Sequence, residues 1–167
     1  LSNLLLKNKI IKNGARIINV ASGAHRGVDI NLDDIEMVNK YNGWVCYKKS
    51  KLCNILFTKK LSKLASKNNI TVNCLHPGFV KTSFGTNNTG VIGLIIKFLM
   101  TLFAIKVEEG AETIIYLATS DNVKNISGEY FYQSKINQPS NFAENNKSAD
   151  DLWDLSLKIL KNNNLTL

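Results

Sequence analysis

Apolar and polar positions along this chain fall into short blocks of two kinds. "ARIINVAS" (residues 15–22) is brief, rich in β-branched residues and closed by small polar ones, the mark of a buried strand running into a loop. A loop rich in Gly, Asp and Asn follows to about Gly43. From Trp44 to Ser66, Leu52, Ile55, Leu56, Leu61 and Leu64 recur at helical spacing with no Gly or Pro between them, which predicts a long helix. "NITVNCLHPG" (69–78) is a second apolar strand, ended by Pro77-Gly78. Residues 81–90 read as a polar, Gly-containing loop, and "VIGLIIKFLMTLFAI" (91–105) is almost wholly apolar. "VEEGAETIIYLAT" (107–119) predicts a helix with acids in its first turn, where the helix dipole favours them. "GEYFY" (128–132) predicts a short strand, and "SADDLWDLSLKIL" (148–160) a closing helix capped by Ser148. The opening "LSNLLLKNKII" lacks methionine and already has helical apolar spacing, so it reads as a cut through a helix and the chain as a piece of a longer protein.

Strand, helix, strand, helix, strand is the alternation of an α/β parallel sheet with right-handed crossovers. The 167 residues are enough for one domain with a sizeable core. A net charge of +8 raises nucleic acid as a partner, but its distribution speaks against it. Residues 1–106 hold 16 Lys+Arg against 4 Asp+Glu, whereas residues 107–167 hold 5 against 9. The only arginines are Arg16 and Arg26, and no lysine run is interleaved with aromatics, so no nucleic-acid partner is expected. Cys46, Cys53 and Cys74 are odd in number and lack CxxC spacing, and His25 and His76 lack metal-ligand spacing. Reduced thiols and no metal are expected.

The chemistry begins with Tyr47 and Lys51, which a helix stacks on one face. The spacing alone is weak, and a helix-surface pair worth a few tenths of a kcal/mol would explain it. A second reading uses the charge. A phenol with a pKa of ~10 must come down by ~4 kcal/mol to exchange protons near neutral pH, and an ammonium ~4 Å away at an effective dielectric of ~20 supplies about that. Carbonyl reduction by hydride needs such a proton donor, and it gains from a neutral hydrogen-bond donor at the developing oxyanion. Ser22, at the carboxyl end of the first strand, stands where ligands of open α/β sheets bind. Taken alone, it fits a loop-start serine bonding its own backbone better. Pro77-Gly78-Phe79-Val80-Lys81-Thr82 ends the next strand. It is either an ordinary turn or a set of exposed main-chain groups, with the Thr82 hydroxyl, that holds an amide-bearing ring. Each element is weak separately, and their order along the chain is much less easily produced by chance.

Together they resemble the short-chain dehydrogenase/reductases, and within them the retinol dehydrogenase-like branch. The matching text is "ARIINVASGAH", "YKKSKLCNILFTKKLSK", "ITVNCLHPGFVKT", "EEGAETIIYLA", "SGEYF" and "NNKSADDLWDLS", which covers nearly the whole chain. The resemblance implies the C-terminal portion of a Rossmann-type doubly wound parallel sheet. It implies an oxidoreductase moving a hydride between a nicotinamide dinucleotide, NADP(H) in preference to NAD(H), and a lipophilic, retinol-like alcohol or carbonyl. By the same resemblance Tyr47 is the general acid/base. Lys51 lowers its pKa and holds the nicotinamide ribose, and Ser22 polarises the substrate oxygen. Pro77, Gly78, Val80 and Thr82 line the nicotinamide pocket, with Tyr47 and Lys51 also touching the cofactor.

The departures shape the expectation. Ala21 stands where many relatives carry serine, while Ser22 keeps the catalytic place. None of the ten glycines forms the Gly-rich pyrophosphate turn, so residues 1–167 read as the catalytic half of such a domain without the N-terminal dinucleotide-binding strands, inactive by itself. The competing reading is a degenerate chain that serves as a binding or scaffold module. The apolar run 91–105, interrupted by Lys97, suits a lid over a lipophilic substrate, with partial insertion at a membrane surface as the alternative. An intracellular place follows, cytoplasmic or on an organelle membrane such as the endoplasmic reticulum, with homo-oligomers open.

Overall fold

In a computed structural model, which describes residues 1–80 and 105–163, the chain builds a four-stranded sheet flanked by helices on both faces. The elements in order are α1 (Ser2–Lys7), β1 (Arg16–Val20), α2 (Gly43–Ala65), β2 (Thr71–His76), α3 (Val107–Thr119), β3 (Tyr130–Tyr132), β4 (Lys135–Ile136), α4 (Asn141–Glu144) and α5 (Asn146–Asn162). The sheet order is β1-β2-β3-β4, with the first two pairings parallel and the last antiparallel. Register sets Ile17 opposite Val72 and Val20 opposite Leu75. The parallel α/β sheet expected from the strand–helix alternation is therefore present, with one short hairpin strand, β4, added at its edge.

Period-2 alternation sends successive residues to opposite faces. Ile17 packs with Leu61, Ala65, Ile70 and Val72, whereas its neighbour Ile18 packs on the other face with Leu75, Leu117, Val123 and Phe131. Tyr130 and Phe131 divide in the same way. β2 is buried along its middle, as a strand covered on both faces must be.

α2 is the central helix. Asn42 caps it, its Oδ1 accepting from the Val45 amide at 3.0 Å. Leu52, Ile55, Leu56 and Leu61 point into the core with at most 1% of their surface exposed, each worth about 1.5–3 kcal/mol of burial. α5 packs beside α2, with Trp153 stacked on Phe57 at 5.7 Å and Lys60 paired to Asp150 at 2.8 Å. α5 starts earlier than its sequence pattern predicts. Its cap is Asn145, which accepts from the Ser148 amide at 3.1 Å, so Ser148 lies inside the first turn. Both residue types cap well, and Asn145 is the one with the extended backbone (φ −71°, ψ 109°) that an N-cap needs.

On the opposite face α3 is tied to β1 by Arg16, whose Nη1 donates to the carbonyls of Leu117 and Ser120 at 3.0 and 2.8 Å. β3 enters through Asn73, which donates to the Ile126 carbonyl at 2.7 Å and accepts from the Glu129 amide at 3.0 Å. Cys46, Cys53 and Cys74 are free thiols. Among the described residues no helix is long and apolar enough to cross a membrane. Lys81, Thr82 and all but Ile105 of the apolar run 91–105 lie outside the described residues.

Candidate active site

The carboxyl ends of β1 and β2 lie side by side, and the Ala21 amide donates to the Leu75 carbonyl at 2.8 Å just beyond the ladder. Ser22 follows β1 and caps the 3₁₀ turn Gly23–His25, its Oγ accepting from the Ala24 amide at 3.2 Å. The serine thus does bond its own backbone, as its sequence position alone suggests. That bond uses one oxygen lone pair and leaves the hydroxyl proton for an outside acceptor, so the two readings of Ser22 are compatible.

His25 closes the same turn with none of its surface exposed. Its Nδ1 lies 2.6 Å from the Ser22 carbonyl oxygen, and its Nε2 accepts from the Ser140 amide at 3.0 Å. A carbonyl only accepts and an amide only donates, so the ring is neutral with its proton on Nδ1. Burial holds its pKa below the ordinary value, outweighing the bond to the Ser22 carbonyl, which raises it, and Arg26 adds to the lowering. The ring meets Tyr130 edge-on at 5.2 Å.

α2 is clamped to the end of β1 by three polar side chains. Asn54 donates to the Val20 carbonyl at 3.1 Å, Asn19 donates to Thr58 Oγ1 at 2.9 Å, and Thr58 donates back to the Asn54 carbonyl at 2.8 Å. These bonds fix α2 against the Ser22 turn, with which it packs. Tyr47, about two turns N-terminal to Asn54, is half-buried. Trp44 stacks on it at 5.6 Å and 21°, and the Lys51 ammonium lies over the ring, 5.5 Å from its centroid. The predicted pair is thus together on one face, with the cation over the π face, a cation–π arrangement. Lys48 turns away, its ammonium 3.6 Å from where a Cβ on Gly27 would lie.

At the end of β2, His76 stacks on Tyr132 at 5.0 Å and accepts from the Gly78 amide through Nδ1 at 3.3 Å. Burial, then His25 and Arg26, lower its pKa. A Cβ on Gly23 would come within 3.0 Å of His76 Nε2, so the two strand-end turns are in contact. Gly78 has φ +88°, and a Cβ there would come within 2.7 Å of Ile105. Val80 pairs with Ile105 in a parallel bridge and packs on Gly110 of α3. Pro77, Gly78 and Val80 therefore sit on the same sheet edge as Ser22.

Sequence reading missed four contributors. Trp44 was detectable as the residue one turn before Tyr47, and Asn54 from its place on the helix face toward β1. His25 and His76 had no such signal, because their partners Ser140 and Tyr132 come from distant sequence.

Residues 1–90 match the family model described as short chain dehydrogenase. The chain is 41% identical to human Retinol dehydrogenase 14 over 93% of its own length and 47% of that protein's. It is 32% identical to human Retinol dehydrogenase 12, over 96% and 50% respectively. A chloroplastic short-chain dehydrogenase of Brassica napus, TIC 32 A, is 34% identical over 96% of this chain and 53% of its own. Among solved structures, an uncharacterised protein from Mycobacterium paratuberculosis superposes with a TM-score of 0.65 at 25% identity, covering 88% of this chain and 50% of that one. A mutant of the Serratia marcescens short-chain dehydrogenase/reductase gives 0.53 at 26% identity, covering 74% and 46%. The chain spans about half the length of the curated relatives it matches.

Proposed function

Since the chain belongs to the short-chain dehydrogenase/reductase family and resembles its retinol dehydrogenases, we propose that it carries the catalytic half of an NAD(P)-dependent oxidoreductase for a lipophilic alcohol/carbonyl pair. The observation that carries this reading is the Tyr47–Lys51 pair on a helix clamped against the Ser22 turn at the carboxyl edge of a parallel sheet. In reduction the Tyr47 phenol gives its proton to the substrate oxygen, and in oxidation it takes the proton back. The Ser22 hydroxyl donates to the same oxygen and stabilises charge as it develops there. Lys51 holds its positive charge over the Tyr47 ring, beside the reacting oxygen.

A nicotinamide dinucleotide, when bound, supplies the hydride donor or acceptor. The donor set fits its nicotinamide end: the Lys51 ammonium suits a ribose diol, the turn Pro77–Val80 has main-chain groups for a carboxamide, and Thr82, two residues on in sequence, is the proposed hydroxyl donor. The sequence holds no Gly-rich turn at a helix start for the pyrophosphate. Residues 1–167 alone therefore bind either dinucleotide weakly and turn over no substrate. We assign NADP(H) over NAD(H), and the residues 91–105 to an apolar cover on the substrate.

The test uses the longest polypeptide its gene encodes that contains residues 1–167, assayed with NADPH and NADH on retinal and on short apolar aldehydes. Reduction is expected, preferring NADPH. Tyr47→Phe lowers kcat by at least about 10²-fold with dinucleotide affinity unchanged, and Lys48→Ala has little effect. Equal turnover by Tyr47→Phe and the parent sinks the catalytic assignment. Micromolar, salt-insensitive NADPH binding by monomeric 1–167 sinks the half-enzyme reading.

A further inference from the structure

The active-site serine is held by a residue that the catalytic scheme does not use. The Ser22 carbonyl accepts twice from His25, from its backbone amide at 3.3 Å and from ring Nδ1 at 2.6 Å. The other ring nitrogen accepts from Ser140, which lies just before α4 and far from Ser22 in sequence. The imidazole therefore bridges the Ser22 turn to the chain segment that closes the sheet edge. It is wholly buried against Tyr130, so no water competes for either nitrogen. Arg26, next in sequence, reaches the same segment by donating to the Gln138 carbonyl. The turn is thus bound twice to residues 138–140.

We propose that His25 is a positioning residue that fixes the Ser22 hydroxyl by gripping Ser22's own carbonyl through Nδ1–H, and that only the neutral Nδ1–H tautomer also ties that turn to Ser140. A protonated ring would turn an N–H toward the Ser140 N–H, setting donor against donor and releasing the bridge. The titratable and charged groups around the ring are Arg26 beside it, His76 on β2 and Tyr130 on β3. Burial first, then Arg26, favour the neutral ring and outweigh the Ser22 carbonyl, which favours the charged one. This role rests on reading Ser22 as the substrate-oxygen donor, whereas the tautomer and the grip do not.

Three substitutions separate gripping Ser22 from filling space. His25→Asn keeps a donor near the place of Nδ1, His25→Gln keeps an acceptor near the place of Nε2, and His25→Phe keeps only the ring shape. Long-range ¹H–¹⁵N correlation on the 167-residue chain is expected to show the Nδ1–H tautomer. It should also show the Ser22, Ala24 and Ser140 amide resonances moving together as His25 titrates. In the variants, Ser22 and Ala24 shifts stay near the parent's in Asn and depart in Gln and Phe. In the longest encoded polypeptide, kcat falls by about 10²-fold in Gln and Phe, is largely restored in Asn, and dinucleotide affinity is unchanged in all three. An Nε2–H tautomer, or Gln and Phe resembling the parent while Asn does not, overturns the proposal. If the parent reduces no carbonyl substrate, the enzyme reading falls, and the tautomer and amide shifts still decide the grip.

Discussion

Gly110 shows how little room the strand-end turns leave. A Cβ there would lie 2.4 Å from a Val80 methyl, well inside contact distance. Gly110→Ala forces Val80 out of its place beside Ile105 and is expected to cost about 1–3 kcal/mol, the usual range for overpacking. The double variant Gly110→Ala/Val80→Ala should recover much of that loss, because the clash goes with the methyls. Urea unfolding of the four chains of this cycle measures the coupling, and additive losses would show that the two side chains do not meet. The same crowding holds at Gly78, whose positive φ also disfavours any other residue.

Among the elements, α3 depends on a side chain from another element for its C-terminal end. Arg16 reaches across from β1 to the carbonyls of Leu117 and Ser120, two of the orphan acceptors that every helix leaves. Arg16→Ala exposes them without a partner and also removes a cation from the negative end of the dipole. An expected loss of about 1–3 kcal/mol follows, with faster amide exchange concentrated in the last turn of α3. Arg16→Lys keeps the charge and loses the planar guanidinium whose Nη1 meets both carbonyls, so it should fall between the two. Uniform exchange changes across all helices would show that the contact is not local. α2 makes the parallel case for the site, since Asn54, Asn19 and Thr58 determine where its Tyr47 face stands.

Over the whole molecule, buried titratable groups define a pH window of stability. His25 and His76 bind protons less readily folded than unfolded, so the unfolded chain takes them up first. Stability is at its full value above the ordinary imidazole pKa of 6.5 and declines as pH falls below it. Burial pushes the Cys53 thiol up to about 11 and the Cys74 thiol to about 12, from 9.0. Here the unfolded chain loses protons first, so stability is full below about 9.0 and declines as pH rises through 11. Tyr130, raised to about 12 by burial, adds to the alkaline loss. Asp150, held low by Lys60, lies at the surface and adds little on the acid side. Denaturant midpoints from pH 4 to 11 should trace a plateau between roughly 6.5 and 9. His25→Asn/His76→Asn should flatten its acid shoulder, and an unchanged shoulder would assign it to carboxylates.

The sequence by itself determined the three parallel strands, the long helices between them and the fold class, because period-2 and period-3.6 patterning is local and each strand or helix must bury its own apolar residues. Ile17 and Ile18 divide between two faces by that rule, and Leu52, Ile55 and Leu56 enter the core by theirs. Tyr47 and Lys51 were legible for the same reason, since helix geometry alone brings them together. Only the tertiary structure decided what no local period encodes. Asn145 rather than Ser148 caps α5 because the backbone is extended at Asn145 and already helical at Ser148. The Tyr47 ring is met by both the Trp44 indole and the Lys51 ammonium, a side-chain arrangement that spacing alone leaves open. His25 is neutral and bound at both nitrogens because Ser140 returns to it from more than a hundred residues away, and a hydrogen bond needs both partners in place.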